Sequence, residues 1–326
     1  MPVPVRRLLL ILAPLAGLAL LFGVLLLADR HFAALGAGRD YVLRIALPRA
    51  GGQLGLPRIE GPLDASRPLV VIDAGHGGHD PGAGAGTLRE KDVTLALAEA
   101  LKAQLLAQGG VRVALTREVD RFLLLPERAA IARQLKADLF LSIHADSSTN
   151  PEAAGATLYT LSDRGSTDEA ARLAASENRA DTINGVALSA QSDAVSAILV
   201  DLSQRESAAR AEAFARLVLR EDAEQAGDGG QAGGGRIDFR EQPLQSAAFI
   251  VLKSADVPSV LFEAGYLSNA GDAARLASPE GRAAFAAITA RAIRVHFARA
   301  LAPPPASEAR PSPVAAPAPI GTATGD

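Results

Sequence analysis

The chain has no cysteine in its 326 residues. This excludes disulfides, thiolate metal ligands and a cysteine nucleophile, so any metal site must be built from His, Asp and Glu. Lysine is scarce, contributing only Lys91, Lys102, Lys136 and Lys253 to 33 basic residues, and the net charge is −3. No basic run occurs, which argues against a nucleic-acid partner because phosphate binding needs clustered cations. The arginine excess is a composition bias spread over the whole chain. There is no internal repeat, no G-x-G-x-x-G spacing and no P-loop lysine, so a dinucleotide or nucleotide loop is a poor fit. With 48% hydrophobic and 21% charged residues, the chain is ordinary for a globular protein and long enough for one large domain or two small ones.

The ends are distinct from that globule. Arg6 and Arg7 precede an uncharged apolar stretch from Leu8 to Ala28, closed by Asp29, Arg30 and His31. The stretch is long enough to cross a hydrocarbon core of roughly 30 Å and exceeds the about 7 to 15 apolar residues of a cleaved signal peptide. Residues 1–31 therefore read as an uncleaved membrane anchor, with a signal segment or a buried core helix as alternatives. The basic residues before the span place the N-terminus in the cytoplasm and the rest outside. The twin arginines are a weak pointer to a twin-arginine export route. Residues 32–67 are punctuated by Gly and Pro and read as a tether with one strand-like run, Tyr41 to Ala46. Residues 302–326, rich in Pro and Ala, lack the large apolar residues that offset chain entropy and read as disordered.

Between them, residues 68–301 carry six strand-like runs: Leu69–Ile72, Val111–Leu115, Leu139–Ile143, Ala156–Leu161, Phe249–Leu252 and Val257–Phe262. Val93, Leu97, Leu101 and Leu105 recur every fourth position, Pro126 opens a second helix through Leu135, and Phe285, Ile288, Ile293 and Phe297 continue the helical pattern. Strands alternating with helices imply an α/β fold with a mostly parallel sheet covered on both faces. Ligands of such sheets sit beyond the carboxyl ends of the strands. There the first strand ends at Asp73 and delivers His76, the third delivers His144 and Asp146, the last delivers Glu263, and Glu90 precedes a helix within reach of the same rim. His, Glu, His and one further carboxylate suit a catalytic zinc with an open water position. Gly75, Gly77 and Gly78 let the backbone turn close to a metal or substrate. Spacing alone leaves open a structural or solvated role for His76. His79 and Asp80 read as loop residues, Asp80 fixing a turn before Pro81 and His79 with a substrate or supporting role as the alternative. Asp73 and Asp146 either orient the imidazoles or cap nearby amides. His31 and His296 stand outside the constellation, and Asn269 either approaches substrate or ends a turn.

The segments "VVIDAGHGGHDPGA", "REKDVTLALA", "LSIHAD" and "FEAGYLSN", in this order, resemble the zinc-dependent N-acetylmuramoyl-L-alanine amidases of bacterial cell separation. The resemblance covers about Pro68 to Leu301. It implies a twisted, mixed six-stranded sheet flanked by helices on both faces, with zinc ligands at His76, Glu90 and His144 and a catalytic glutamate at Glu263. It further implies hydrolysis, in peptidoglycan, of the amide between N-acetylmuramic acid and L-alanine. Together with the N-terminal segment read above, this places the protein in the periplasm or outside the cytoplasm, tethered to the inner membrane or exported after signal cleavage. A zinc peptidase or deacetylase on another wall bond, and a catalytically inactive wall-binding regulator, are the alternatives. The residues before Pro68 are too few for the wall-targeting domain of many relatives. Residues 162–248 make a long connection expected to hold two helices, Asp168 to about Thr182 and Asp193 to about Glu224. Division-linked members carry an insertion helix that covers the zinc and is displaced by an activator protein. By that resemblance Glu177 is the acidic residue expected at the metal's open position, where it would hold the enzyme idle.

Overall fold

In a computed structural model, the described residues are 55–301 except 149, 151, 184–185, 188–196, 228–234 and 255, together with 20, 23, 24 and 27. The chain divides into two compact units, Met1–Gln53 and Leu54–Asp326. The strand-like run Tyr41–Ala46 and the Pro/Ala-rich tail lie outside the described residues, as does almost all of the apolar stretch Leu8–Ala28. Among the described residues no helix is long and apolar enough to cross a membrane.

The second unit is built on β1 (Leu69–Ala74), a minute hairpin β2 (Gly84–Ala85) and β3 (Leu88–Arg89), α1 (Glu90–Gln108), β4 (Arg112–Leu115), α2 (Leu125–Gln134), β5 (Leu139–His144) and β6 (Ala156–Leu161). There follow α3 (Asp168–Glu177), the two-residue strands β7 (Thr182–Ile183) and β8 (Val186–Ala187), α4 (Ala197–Gly227), β9 (Phe239–Ala247), β10 (Ser259–Glu263), α5 (Ala270–Ala277) and α6 (Pro279–Leu301). The main sheet has six strands in the order β4-β1-β5-β10-β6-β9. Neighbours from β4 through β10 run parallel, β6 is antiparallel to β10, and β9 runs parallel to β6.

Alternation along the strands feeds two cores. Val70 and Ile72 of β1 pack with Leu97 and Leu101 of α1, Phe214 of α4 and Ile288 and Ile293 of α6. Leu69 and Val71 enter a second cluster with Ile131 of α2, Leu173 of α3, Phe249 and Leu252. Helices therefore cover both faces, and the central strands read as unbroken apolar runs because neither face meets water.

One expected strand is wrong. Phe249–Leu252 does not pair in the sheet, since Ile250–Leu252 forms a 3-10 turn whose Val251 and Leu252 are buried in the second core. The sixth strand is β9, inside the stretch 162–248 that was expected to be helical. Among the described residues it is an edge strand paired with β6 alone, and its register shifts where Ala156 pairs Phe239 but Leu158 pairs Leu244. Pro243 lies in that irregular span, the kind of position where a sheet tolerates proline. The helix expected from Asp168 stops at Glu177 and continues as a 3-10 turn to Asp181.

Candidate active site

β1, β5 and β10 are adjacent and parallel, so their carboxyl ends share one rim. His144 is the last residue of β5 and Glu263 the last of β10, and the two are paired in register, which sets their side chains on the same face. His76 stands two residues beyond β1, and Glu90 opens α1 at the same rim.

Ligating atoms of His76, Glu90, His144 and Glu177 all lie within 4.8 Å of one another, and all four residues are buried. His76 Nε2 is 3.1 Å from Glu90 Oε2 and 3.4 Å from Glu177 Oε2. His144 Nδ1 is 3.2 Å from Glu90 Oε1 and 3.2 Å from Glu177 Oε2. His76 Nε2, His144 Nδ1 and Glu177 Oε2 are buried without a hydrogen-bond partner. Buried polar atoms are normally paired, so their convergence calls for a cation. Ligands held about 2.0 to 2.1 Å from a tetrahedral zinc stand roughly 3.3 Å apart, close to these separations. The donor set therefore fits zinc. Burial would lower the pKa of His76, but Glu90 and Glu177 beside it push it up to about 10. His144 is raised for the same reasons, against the same desolvation. The carboxylates make a potential in which positive charge is strongly favoured.

Each residue of the cluster is fixed by neighbours. Glu90 Oε1 accepts from the Ala145 N–H and Oε2 from the Ala83 N–H, both at 2.8 Å. Burial would raise its carboxyl, yet His76 and His144 hold it well below the ordinary range. His76 Nδ1 donates to Asp80 Oδ2 at 2.8 Å, leaving Nε2 for the centre. Asp80 was read from the sequence as a turn residue. It also performs that role, accepting from the Gly82 N–H through Oδ1, but it orients the imidazole as well. His76 itself has φ 58°, a left-handed conformation uncommon outside glycine. Two contacts secure it: the Gly77 N–H donates to Asp80 O and Arg128 Nη2 donates to His76 O.

Asp73 stands one layer behind. It accepts from Thr116, Ser142 and Arg128, so its tie to the site runs through Arg128 to the His76 carbonyl rather than to an imidazole. Against the cost of burial, Arg128 and the two hydroxyls keep its carboxyl below the usual range. Glu263 Oε2 accepts from the Asp146 N–H at 3.1 Å, while Oε1 is buried and unpartnered. Burial, then Asp146, Glu90 and Glu177, push Glu263 well up, against the pull of His144. Asp146 is pushed up to about 7, first by burial and then by Glu177 and Glu90. The other sequence candidates lie elsewhere. His79 packs on Phe122, His296 on Phe214, and Asn269 caps α5 by accepting from Gly271 and Asp272.

Residues 70–295 match the family model described as N-acetylmuramoyl-L-alanine amidase. The chain belongs to this amidase family. Among curated relatives, AmiA of Salmonella typhimurium is 35% identical over 238 residues, 71% of this chain and 77% of that protein. AmiC of Neisseria meningitidis serogroup B is 38% identical over 218 residues, 66% of this chain. The chain spans about half, 49%, of that AmiC. Among solved structures, the amidase AmiC2 of Nostoc punctiforme superposes with a TM-score of 0.50 at 29% identity, covering 71% of this chain and 98% of that one. The mixed six-stranded α/β sheet is thus an amidase fold, and the cluster of His76, Glu90, His144 and Glu177 lies inside the family match.

Proposed function

We propose that this amidase-family chain hydrolyses the amide joining the lactyl group of N-acetylmuramic acid to L-alanine in peptidoglycan, with zinc held by His76, Glu90 and His144. The observation that carries the reading is the convergence of these buried donors beside Glu263, within the region the family model matches. A bound zinc supplies a Lewis acid that polarises the carbonyl and lowers the pKa of water to about 7. Asp80 and the two backbone donors to Glu90 keep the donor atoms aimed at one point. Glu263, steadied through one oxygen by Asp146 N–H and raised in pKa by burial, takes the attacking water's proton on its other oxygen and passes it to the departing amine. The glycan strands stay intact while the stem peptide leaves.

Glu177 belongs to the same reading as an autoinhibitor. Its carboxylate stands against both imidazoles, and the space beside it, lined by His76, Asp80, His144 and Glu177, is a cavity of about 10 Å³, room for about one water. With α3 in place, Glu177 takes the position beside both imidazoles that the scissile amide and its water would need. An activator protein that binds the helix-displaced state more tightly would shift the population toward the open enzyme. The reading extends to daughter-cell separation outside the cytoplasm, with residues 1–31 tethering a catalytic domain of residues 68–301 to the inner membrane.

The test is a digest of purified peptidoglycan with and without chelator, using the wild type, His144→Ala and Glu177→Ala. Free stem peptide with an intact N-terminal alanine, lost with chelator or His144→Ala and increased by Glu177→Ala, supports the reading. Internal peptide fragments support a peptidase, acetate release a deacetylase, and no product from any form a wall-binding regulator.

A further inference from the structure

Helix α3 places a second carboxylate in a second site. Glu169, eight residues before Glu177, is held by Arg240 through two parallel bonds, Nη1 to Oε1 at 2.8 Å and Nη2 to Oε2 at 2.9 Å. Tyr266 completes the arrangement: its hydroxyl accepts from Arg240 Nη1 at 2.7 Å and donates to Glu169 Oε1 at 3.2 Å. The guanidinium carbon also stands 5.4 Å from the Tyr266 ring centroid, so the ring holds the fork in place. Arg240 belongs to β9 and Tyr266 follows β10 by three residues. Neither belongs to α3, whereas Glu169 does.

Arg240, Tyr266 and Glu169 line a cavity of about 830 Å³ that also includes Asp146 and Ser147. Asp146 is the residue whose N–H holds Glu263, so the cavity starts where the proton-transfer carboxylate is anchored. A planar guanidinium fork with a neighbouring phenol is a receptor for a carboxylate. The two glutamates are about 12 Å apart along the helix axis at 1.5 Å per residue. Extended peptide covers about 3.3 to 3.6 Å per residue, so that span corresponds to about three residues of a stem peptide measured from the scissile amide.

We propose that Arg240 and Tyr266 form a carboxylate-binding subsite for the peptidoglycan stem peptide, specific for a residue about three positions from the cleaved bond. In the closed state Glu169 occupies it while Glu177 occupies the metal cluster. The helix thus imitates the substrate at both contacts, and its displacement bares both together. This inference rests on the amidase reading above, of which it names the substrate contact.

The experiment uses the full zinc-loaded chain and a synthetic stem tripeptide, alanyl-γ-glutamyl-diaminopimelate, with free or fully amidated carboxyl groups. Binding is measured by calorimetry for the wild type, Glu169→Gln, Glu169→Gln with Arg240→Gln, and Glu169→Gln with Arg240→Lys. Glu169→Gln should tighten binding of the free tripeptide about tenfold or more, the range of a charge-assisted contact. Arg240→Gln should remove that gain, Arg240→Lys should keep part of it, and the amidated tripeptide should bind all forms alike. A gain that is equal for free and amidated peptide, or one that survives Arg240→Gln, overturns the subsite. In turnover, Arg240→Gln placed in Glu177→Ala should raise KM for the anionic substrate and leave that for the amidated one unchanged. Equal acceleration of both would instead make Arg240 a mere latch on α3. If Glu177→Ala releases no stem peptide from any wall substrate, the amidase reading fails, while the tripeptide measurement still decides the subsite.

Discussion

Gly75 offers a steric test of the proposed metal centre. It follows β1 at the point where the backbone passes the imidazole of His144, and a Cβ there would stand 2.6 Å from His144 Cε1 and Nε2 and 2.8 Å from Nδ1. Favourable contacts between such atoms begin at about 3.5 Å, so one partner must retreat by about 0.9 Å. The backbone is not free to do so. The Gly75 N–H donates to Ile143 O, and its carbonyl accepts from Thr94 Oγ1 and Arg117 Nη2 at 2.9 Å each. The ring must therefore move, and metal–ligand distances tolerate only about 0.2 Å. Gly75→Ala is expected to weaken zinc binding about 100-fold, the upper end of what lost support for a ligand costs, or about 2.8 kcal/mol. Competition against a chromophoric chelator reads this directly, with a melting curve to show that the protein remains folded. Gly86→Ala is the control: its Cβ meets nothing within 4 Å and its φ is 58°, so it should cost roughly 1 to 2 kcal/mol of stability and leave zinc affinity unchanged. A folded Gly75→Ala protein with zinc affinity within threefold of wild type would refute the assignment of His144 as a ligand at this geometry.

Glu263→Gln should retain zinc and lose about a hundredfold to ten-thousandfold in turnover, because the amide keeps the shape and cannot accept a proton; loss of zinc would instead make Glu263 a ligand. Asp80→Ala should lower zinc affinity about 10- to 100-fold by freeing the His76 ring, and chelator competition that shows no change would remove Asp80 from the centre. Asp73→Ala strands a buried Arg128, whose guanidinium is 2.9 Å from the carboxylate, and should cost about 3 to 5 kcal/mol in denaturant unfolding. A loss under 1 kcal/mol would show that the Arg128 carbonyl contacts suffice. The folded pKa of Asp73 is depressed, so this contribution is present at neutral pH and is lost as the pH falls through that value.

The parallel core was legible because its strands are buried on both faces and therefore announce themselves as short apolar runs. The edge was not. β9 carries Arg240, Glu241 and Gln242 before Pro243, and such a sequence looks like a loop until β6 is known to lie beside it. Phe249–Leu252 deceived in the opposite direction, since an apolar run states only that it is buried, and here it fills the gap beneath α2 and the sheet. Within the site, His76, His144 and Glu263 stood out because polar side chains at or just beyond the ends of buried strands need a purpose, and Glu90 because it opens a helix within reach of the same rim. Asp80 carried no such signal: its approach to His76 depends on the left-handed backbone of His76, Gly77 and Gly78, which no spacing rule encodes. Arg240 and Tyr266 meet only because the bulged edge strand and the loop after β10 come together in space.

The sheet order carries a consequence for biosynthesis. β10 enters between β5 and β6, and Glu263 reaches the Asp146 N–H across 117 residues of chain. Until that insertion occurs, a growing polypeptide already contains His76, Glu90, His144 and Glu177 yet has no central strand to hold the rim closed. Closing so large a loop makes folding slow and late. Hydrolytic competence should therefore arrive in one step near the end of folding, and truncation products ending before Glu263 should be inert toward the wall whatever metal they bind.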